Sequence, residues 1–333
     1  MTSATTTQAP QKDPVSAYLG EDLDLVRQWM DRIYQPEGRL MTDVARYIYE
    51  LKGKLLRPKM VCLAARAYGH DPDNKRYTRI AAAMEIFHVA TLLHDDVIDH
   101  ADARRGRETV NHKWGADVAI LFADYLYASC FDLALSGLDE RPDALRILTR
   151  TTQKMAEGEI FQIEKRGCWL TLEEYMKIIR LKTGCLFGAC ASLGTLVAGQ
   201  DTERVLRMAD YGMAFGVAFQ MTDDALDYDA DPANWGKPVG GDVAEGKQTY
   251  PLLHAYELAG EDERRRIAEV MSNGRDFATV HGFVARHDGV RASFEKAEEH
   301  IAEALAVLDE ATIDHEAMTL LKGLTRGIAK RRF

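Results

Sequence analysis

Two short acidic segments, Asp95-Asp96-Val97-Ile98-Asp99 and Asp223-Asp224-Ala225-Leu226-Asp227, each lie inside a long run whose apolar residues recur with helical spacing. Both read DDxxD. An α-helix turns about 100° per residue, so the first and third carboxylates stand about 40° apart and the middle one stays within the same arc. Three anionic groups then share one face. Unpaired, they repel one another and their pKa values rise. On a mostly apolar helix such a face makes chemical sense when divalent cations occupy it. All-oxygen donors favour a hard ion such as Mg²⁺, which keeps waters and bridges to substrate phosphates. A solvated acidic face is the bland alternative for one copy. Two copies wrapped in hydrophobic residues argue against it.

Helical patterning surrounds both segments. Apolar periodicity predicts helices near 22–35, 40–52, 58–68, 77–98, 111–135 and 143–164. Pro58 suits a first helical turn and Gly69 a stop. Thr171-Leu172-Glu173-Glu174 is a capping box, and Asp201 or Thr202 can cap the helix carrying the second DDxxD. Residues 231–247, rich in Gly and Lys, read as one long loop and a candidate lid; 1–14 read as a disordered tail. Long Val/Ile/Thr alternations are missing, so no sheet is expected. With neither linker nor repeat, 15–333 reads as a single all-α domain: a helical bundle whose site is built from facing helices.

The 333 residues, 46% of them hydrophobic, suffice for a sizeable core. The net charge of -10 speaks against a nucleic-acid surface and against general attraction to anionic membranes. An anionic substrate therefore needs a local basic cluster. Five cysteines with no CxxC pair read as reduced thiols of a cytoplasmic protein. The polar first residues carry no apolar stretch of the signal-peptide type. Residues 183–200 are uncharged and just long enough to span a membrane. Their Gly, Ala, Cys, Ser and Thr fit a tightly packed core helix better.

Four basic clusters accompany the acidic segments. They are Gly53-Lys54-Leu55-Leu56-Arg57-Pro58, Arg104-Arg105-Gly106, Lys182-Thr183, and the loop with Gly236-Lys237 and Gly246-Lys247. Arg can grip phosphate bidentately, whereas Lys acts as a point charge. Alone, each reads as solvated surface charge. Beside both acidic motifs they imply two sub-sites, one rich in metal and one purely basic.

From about Lys52 to Pro251 the chain resembles the trans-isoprenyl diphosphate synthases, the polyprenyl synthetase family. The motifs occur in the family's order: Lys52-Gly53-Lys54-Leu55-Leu56-Arg57-Pro58 for GGKxxRP, with Lys in place of the first Gly; Glu85-x-x-His88; the first DDxxD with Arg104-Arg105-Gly106; Lys182-Thr183; Phe219-Gln220-x-x-Asp223-Asp224-x-x-Asp227; and Gly246-Lys247-Gln248-Thr249-Tyr250-Pro251. The resemblance implies the isoprenoid-synthase helical fold with a central cavity. It implies that Asp95, Asp96, Asp99, Asp223, Asp224 and Asp227 hold up to three Mg²⁺ on an allylic diphosphate. Arg104, Lys182, Lys237 and Lys247 would grip the same group. Lys54, Arg57, His88 and Arg105 would bind isopentenyl diphosphate, with Gly53 letting the backbone approach. Thr183 and Gln220 would line the reacting centre.

The growing chain is expected alongside the first DDxxD helix. Residues one and two turns before Asp95, namely Thr91, Ala90 and then Phe87, face that channel, and by the resemblance their small nearer pair implies a product of about twenty carbons or more. Phe87 is either a floor lower down or packing against a neighbouring helix. The rival readings are a class I terpene cyclase, whose second metal motif usually differs, and a non-catalytic partner subunit, which would be expected to have lost part of a motif. A di-iron bundle needs a second Glu-x-x-His, and a His-Asp phosphohydrolase needs companion His ligands; neither is evident. The family implies a homodimer.

Overall fold

The computed structural model describes residues 13–50, 53–70, 73–104, 106–137, 142–229, 239–308 and 312–330. Of the N-terminal residues read as a tail, 1–12 lie outside these. Pro14 belongs to the first helix, α1 (Pro14–Tyr18), which Asp13 caps by accepting from the Ser16 N–H. Next come α2 (Gly20–Ile33), α3 (Arg39–Tyr49), α4 (Leu56–Ala67) and α5 (Tyr77–Ile98). The helix at Pro58 starts two residues earlier than expected, because Leu55 adopts a left-handed conformation and turns the chain just before it.

Two departures follow the first acidic motif. A two-stranded ribbon pairs β1 (Ala103–Arg104) with β2 (Arg107–Glu108), although no sheet was expected; two-residue strands are too short to leave an alternation. The helix expected over 111–135 is divided into α6 (Val110–Trp114) and α7 (Ala116–Gly137) at Gly115, whose φ of 94° ends the first piece. Then come α8 (Pro142–Glu164), α9 (Leu172–Ile179), a π-helical turn over Arg180–Gly184, α10 (Cys185–Val197) and α11 (Thr202–Asp229). The capping box at Thr171 and Glu174 is present, and Asp201 accepts from the Arg204 N–H at 2.8 Å. Residues 231–238 of the expected loop lie outside the described residues. Its end is not loop, since Gly241–Glu245 forms the short helix α12. Five more helices complete the bundle: α13 (Tyr250–Leu258), α14 (Glu261–Asn273), α15 (Phe277–Arg286), α16 (Gly289–Val307) and α17 (His315–Ala329).

Helix α10 is the axis. Every residue from Cys185 to Leu196 is buried, as a packed core helix requires. It packs against α11, α4, α8 and α5. Its contact with α11 is backbone-close: a Cβ added to Gly212 would lie 2.3 Å from the Phe187 carbonyl oxygen. Among the described residues the helix long and apolar enough to cross a membrane is instead α7, by length and composition alone. The five cysteines are free thiols, four of them buried and Cys168 exposed.

Candidate active site

The first motif ends its helix. Asp95 and Asp96 lie in the last turn of α5, and Asp99 is the residue that closes it. Asp96 is 4% exposed and accepts from Arg104 Nε at 2.7 Å, a contact that the β-ribbon makes by folding Arg104 back. Asp99 lies 3.6 Å from Arg166, which also donates to the Ile98 carbonyl. Burial, with Glu159 and Asp99 adding like charge, pushes the Asp95 carboxyl up to about 6, against the pull of Lys182. Burial raises Asp96 as well, against the pull of Arg104.

The second motif is tied to its surroundings by hydrogen bonds. Thr183 donates to Gln220 Oε1 at 2.9 Å, and Gln220 Nε2 donates to Asp224 Oδ1 at 2.7 Å. Tyr175 donates to the other oxygen, Asp224 Oδ2, at 2.6 Å. Burial still raises the Asp224 carboxyl, with Asp223 adding like charge. Lys182 and Thr183 fall in the π turn, a wider turn found often at functional sites. Asp227 has different partners. Its carboxylate accepts from the backbone N–H groups of Gly241 and Asp242, at 3.2 and 2.9 Å, and so fastens α12 to the motif. Lys247 pairs with Glu245 at 2.5 Å; burial works against its charge, yet Glu245, Asp242 and Asp99 raise its pKa. Glu245 in turn acts on Asp96. The closing loop and the first motif therefore share one electrostatic space.

The basic corner faces another stretch of α5. A Cβ on Gly53 would lie 3.3 Å from Glu85 Oε1, and Glu85 stands one turn before His88. Arg57 rests over the Phe187 ring at 4.8 Å. Lys54 is exposed. Arg105, Gly236 and Lys237 lie outside the described residues. Below the first motif Phe87 and Ala90 are fully buried, and Thr91 donates to the His88 carbonyl. Phe87 packs edge-on against Tyr127 of α7 at 5.0 Å, and Tyr127 also lies within the field of Asp95.

Sequence reasoning missed Tyr175, Tyr127, Arg166, Glu159 and Gln162. Each takes its meaning from a partner on another helix or at its end.

Among the described residues no three acidic or imidazole side chains converge as a preformed metal cage. The donor set nonetheless fits a hard divalent cation. Buried carboxylates with raised pKa values are stabilised by added positive charge. A cation that keeps its waters and bridges to phosphate needs no closed cage.

An all-helical bundle with two carboxylate clusters, a basic corner and a buried apolar wall defines an enzyme class that handles diphosphate esters of apolar chains. The chain belongs to the polyprenyl synthetase family, whose model matches residues 38–283. It is 35% identical over 321 residues to heptaprenyl diphosphate synthase component 2 of Geobacillus stearothermophilus, covering 95% of this chain and 98% of that one. It is 38% identical over 237 residues to the octaprenyl diphosphate synthase of Escherichia coli K12, covering 71% and 72%. The crystal structure of a polyprenyl synthase from Caulobacter crescentus CB15, complexed with calcium and isoprenyl diphosphate, superposes with a TM-score of 0.89 at 31% identity, covering 98% and 99%. The chain is thus a prenyltransferase, a trans-polyprenyl diphosphate synthase.

Proposed function

We propose that the chain elongates an allylic diphosphate with isopentenyl units to a product longer than geranylgeranyl diphosphate. The observation that carries this is Lys247 of the closing loop, which pairs with Glu245, feels Asp99 of the first motif and acts on Asp224 of the second, so that both acidic clusters share its charge. Small residues at Ala90 and Thr91, and relatives named for heptaprenyl and octaprenyl products, support the length.

Asp95, Asp96, Asp99, Asp223 and Asp224 would hold Mg²⁺, up to three ions, while Asp227 anchors the loop. Bound there, Mg²⁺ supplies charge neutralisation for the leaving diphosphate. Arg104, Lys182, Lys247 and, in the loop, Lys237 grip the same group. Thr183 and Gln220 turn their oxygen dipoles toward the allylic cation as its C–O bond breaks. Lys54, Arg57, His88 and Arg105 hold isopentenyl diphosphate so that its double bond attacks C1. The proton then lost passes to the released diphosphate. Packing that excludes water keeps the cation from being quenched.

A homodimer is part of this reading. Ile120, Leu121 and Leu135 of α7 and Ile160 and Ile163 of α8 are exposed apolar residues on neighbouring helices, a face suited to a second copy. The word "component" in one relative's name favours a second reading, in which a different subunit covers this face. The reduced thiols fit a cytoplasmic location.

The test is Mg²⁺-dependent incorporation of labelled isopentenyl diphosphate with dimethylallyl, geranyl, farnesyl or geranylgeranyl diphosphate. Products are dephosphorylated and sized, and the native mass is measured alongside. A ladder ending beyond geranylgeranyl from a dimer supports the reading. A ladder ending at or before it refutes the length. Incorporation only after adding a partner refutes the homodimer.

A further inference from the structure

Lys182 is read as a ligand of the substrate diphosphate, yet it also has partners within the protein. Its ammonium contacts Glu159 Oε2 and donates to Gln162 Oε1 at 3.1 Å. Both acceptors stand one turn apart on α8. Gly158 makes the approach feasible: a Cβ there would lie 2.7 Å from Leu181 Cβ and 3.3 Å from Lys182 Cγ. Helix α8 therefore carries its glycine where the π turn comes against it. Glu159 is 9% exposed, and its Oε1 has no hydrogen-bond partner among the described residues. A half-satisfied carboxylate buried beside Asp95 is a cost to folding. Stability does not account for it.

We propose that Glu159 is a positioning residue that stores the Lys182 ammonium on α8 until diphosphate and a divalent cation arrive together. This rests on the reading of Lys182 as a diphosphate ligand. Without Glu159 the ammonium is free to engage Asp95 or an incoming diphosphate. In the first case it neutralises the metal-binding face. In the second it admits diphosphate with no metal. Glu159 therefore makes diphosphate and cation binding mutually dependent.

The experiment is calorimetric titration of the full-length protein with inorganic pyrophosphate, in chelator and in Mg²⁺. Glu159→Gln is expected to bind metal-free pyrophosphate about tenfold tighter than the unsubstituted protein, because a charge-assisted contact becomes available. The Mg²⁺ enhancement of affinity should shrink accordingly. Adding Lys182→Ala to Glu159→Gln should remove the gain. An unchanged metal-free affinity in folded Glu159→Gln overturns the proposal. So does a gain that survives in the double variant, which would be a general field effect. Lys182→Ala alone tests the idea without touching Glu159: metal-free affinity should stay as it was, and a large loss would show that the lysine is not stored. Failure of the unsubstituted protein to bind pyrophosphate with Mg²⁺, or to incorporate isopentenyl units, would instead count against the proposed function.

Discussion

The phenol of Tyr175 donates a 2.6 Å hydrogen bond to Asp224 across 49 residues of sequence, joining α9 to the second aspartate motif. Gln220 holds the other Asp224 oxygen, so the carboxylate cannot swing. Tyr175→Phe removes one restraint and leaves a buried anion less satisfied. A hydrogen bond to a charged group contributes about 1.5–3 kcal/mol. The expected result is a fall in kcat/KM of roughly tenfold to a hundredfold, with a higher Mg²⁺ requirement and an unchanged circular dichroism spectrum. Wild-type kinetics across a Mg²⁺ titration would remove Tyr175 from the site.

Asp95 links stability to pH. Its folded-state value of about 6 lies above the ordinary 3.8. A carboxyl raised in this way favours folding while protonated: the contribution is full below pH about 4 and is lost as pH rises through about 6. Asp95→Asn should therefore stabilise the metal-free protein by roughly 3 kcal/mol above pH about 7 and have little effect below about 4. The same substitution should lower turnover by orders of magnitude. Urea unfolding at several pH values checks the first half, and the incorporation assay the second.

Metal uptake should follow the same carboxyl in the opposite sense. A ligating carboxylate must be deprotonated, so affinity for Mg²⁺ with pyrophosphate is expected to fall as pH drops through about 6. Calorimetry between about pH 5 and about pH 8 measures it. A flat profile would mean that no raised carboxyl is among the ligands.

Thr91 and Phe87 should set product length from opposite sides. Thr91→Phe places a ring one turn before Asp95, where the growing chain is proposed to run, and should shorten the products. Phe87→Ala takes away the ring that packs on Tyr127 and should lengthen them. Sizing the dephosphorylated products distinguishes a floor from a mere packing contact: if Phe87→Ala only lowers thermal stability and leaves the profile alone, Phe87 is packing.

The approach of α10 to α11 at Gly212 is tight enough to test by itself. Gly212→Ala brings a methyl group against the Phe187 backbone, which cannot rotate aside. The expected cost is about 1–3 kcal/mol of stability, read from urea unfolding.

Much of this protein is legible in one dimension. The helices, the capping box at Thr171 and the Asp201 cap follow from local rules, because a helix needs only its own periodicity and its ends. The two DDxxD segments are equally local: one turn of helix aligns their carboxylates whatever lies around them. Only the tertiary structure decided which partners each carboxylate takes. Asp227 shares the motif with Asp223 and Asp224, yet it serves as the N-terminal anchor of α12. Lys182 looks like a free cation until α8, brought close by Gly158, supplies Glu159. Nothing in its own stretch of sequence marks Tyr175 until α9 packs on α11. The physical reason is common to all three. Side-chain pairing across helices depends on how closely and at what rotation the helices meet, and no local stretch of sequence encodes that distance.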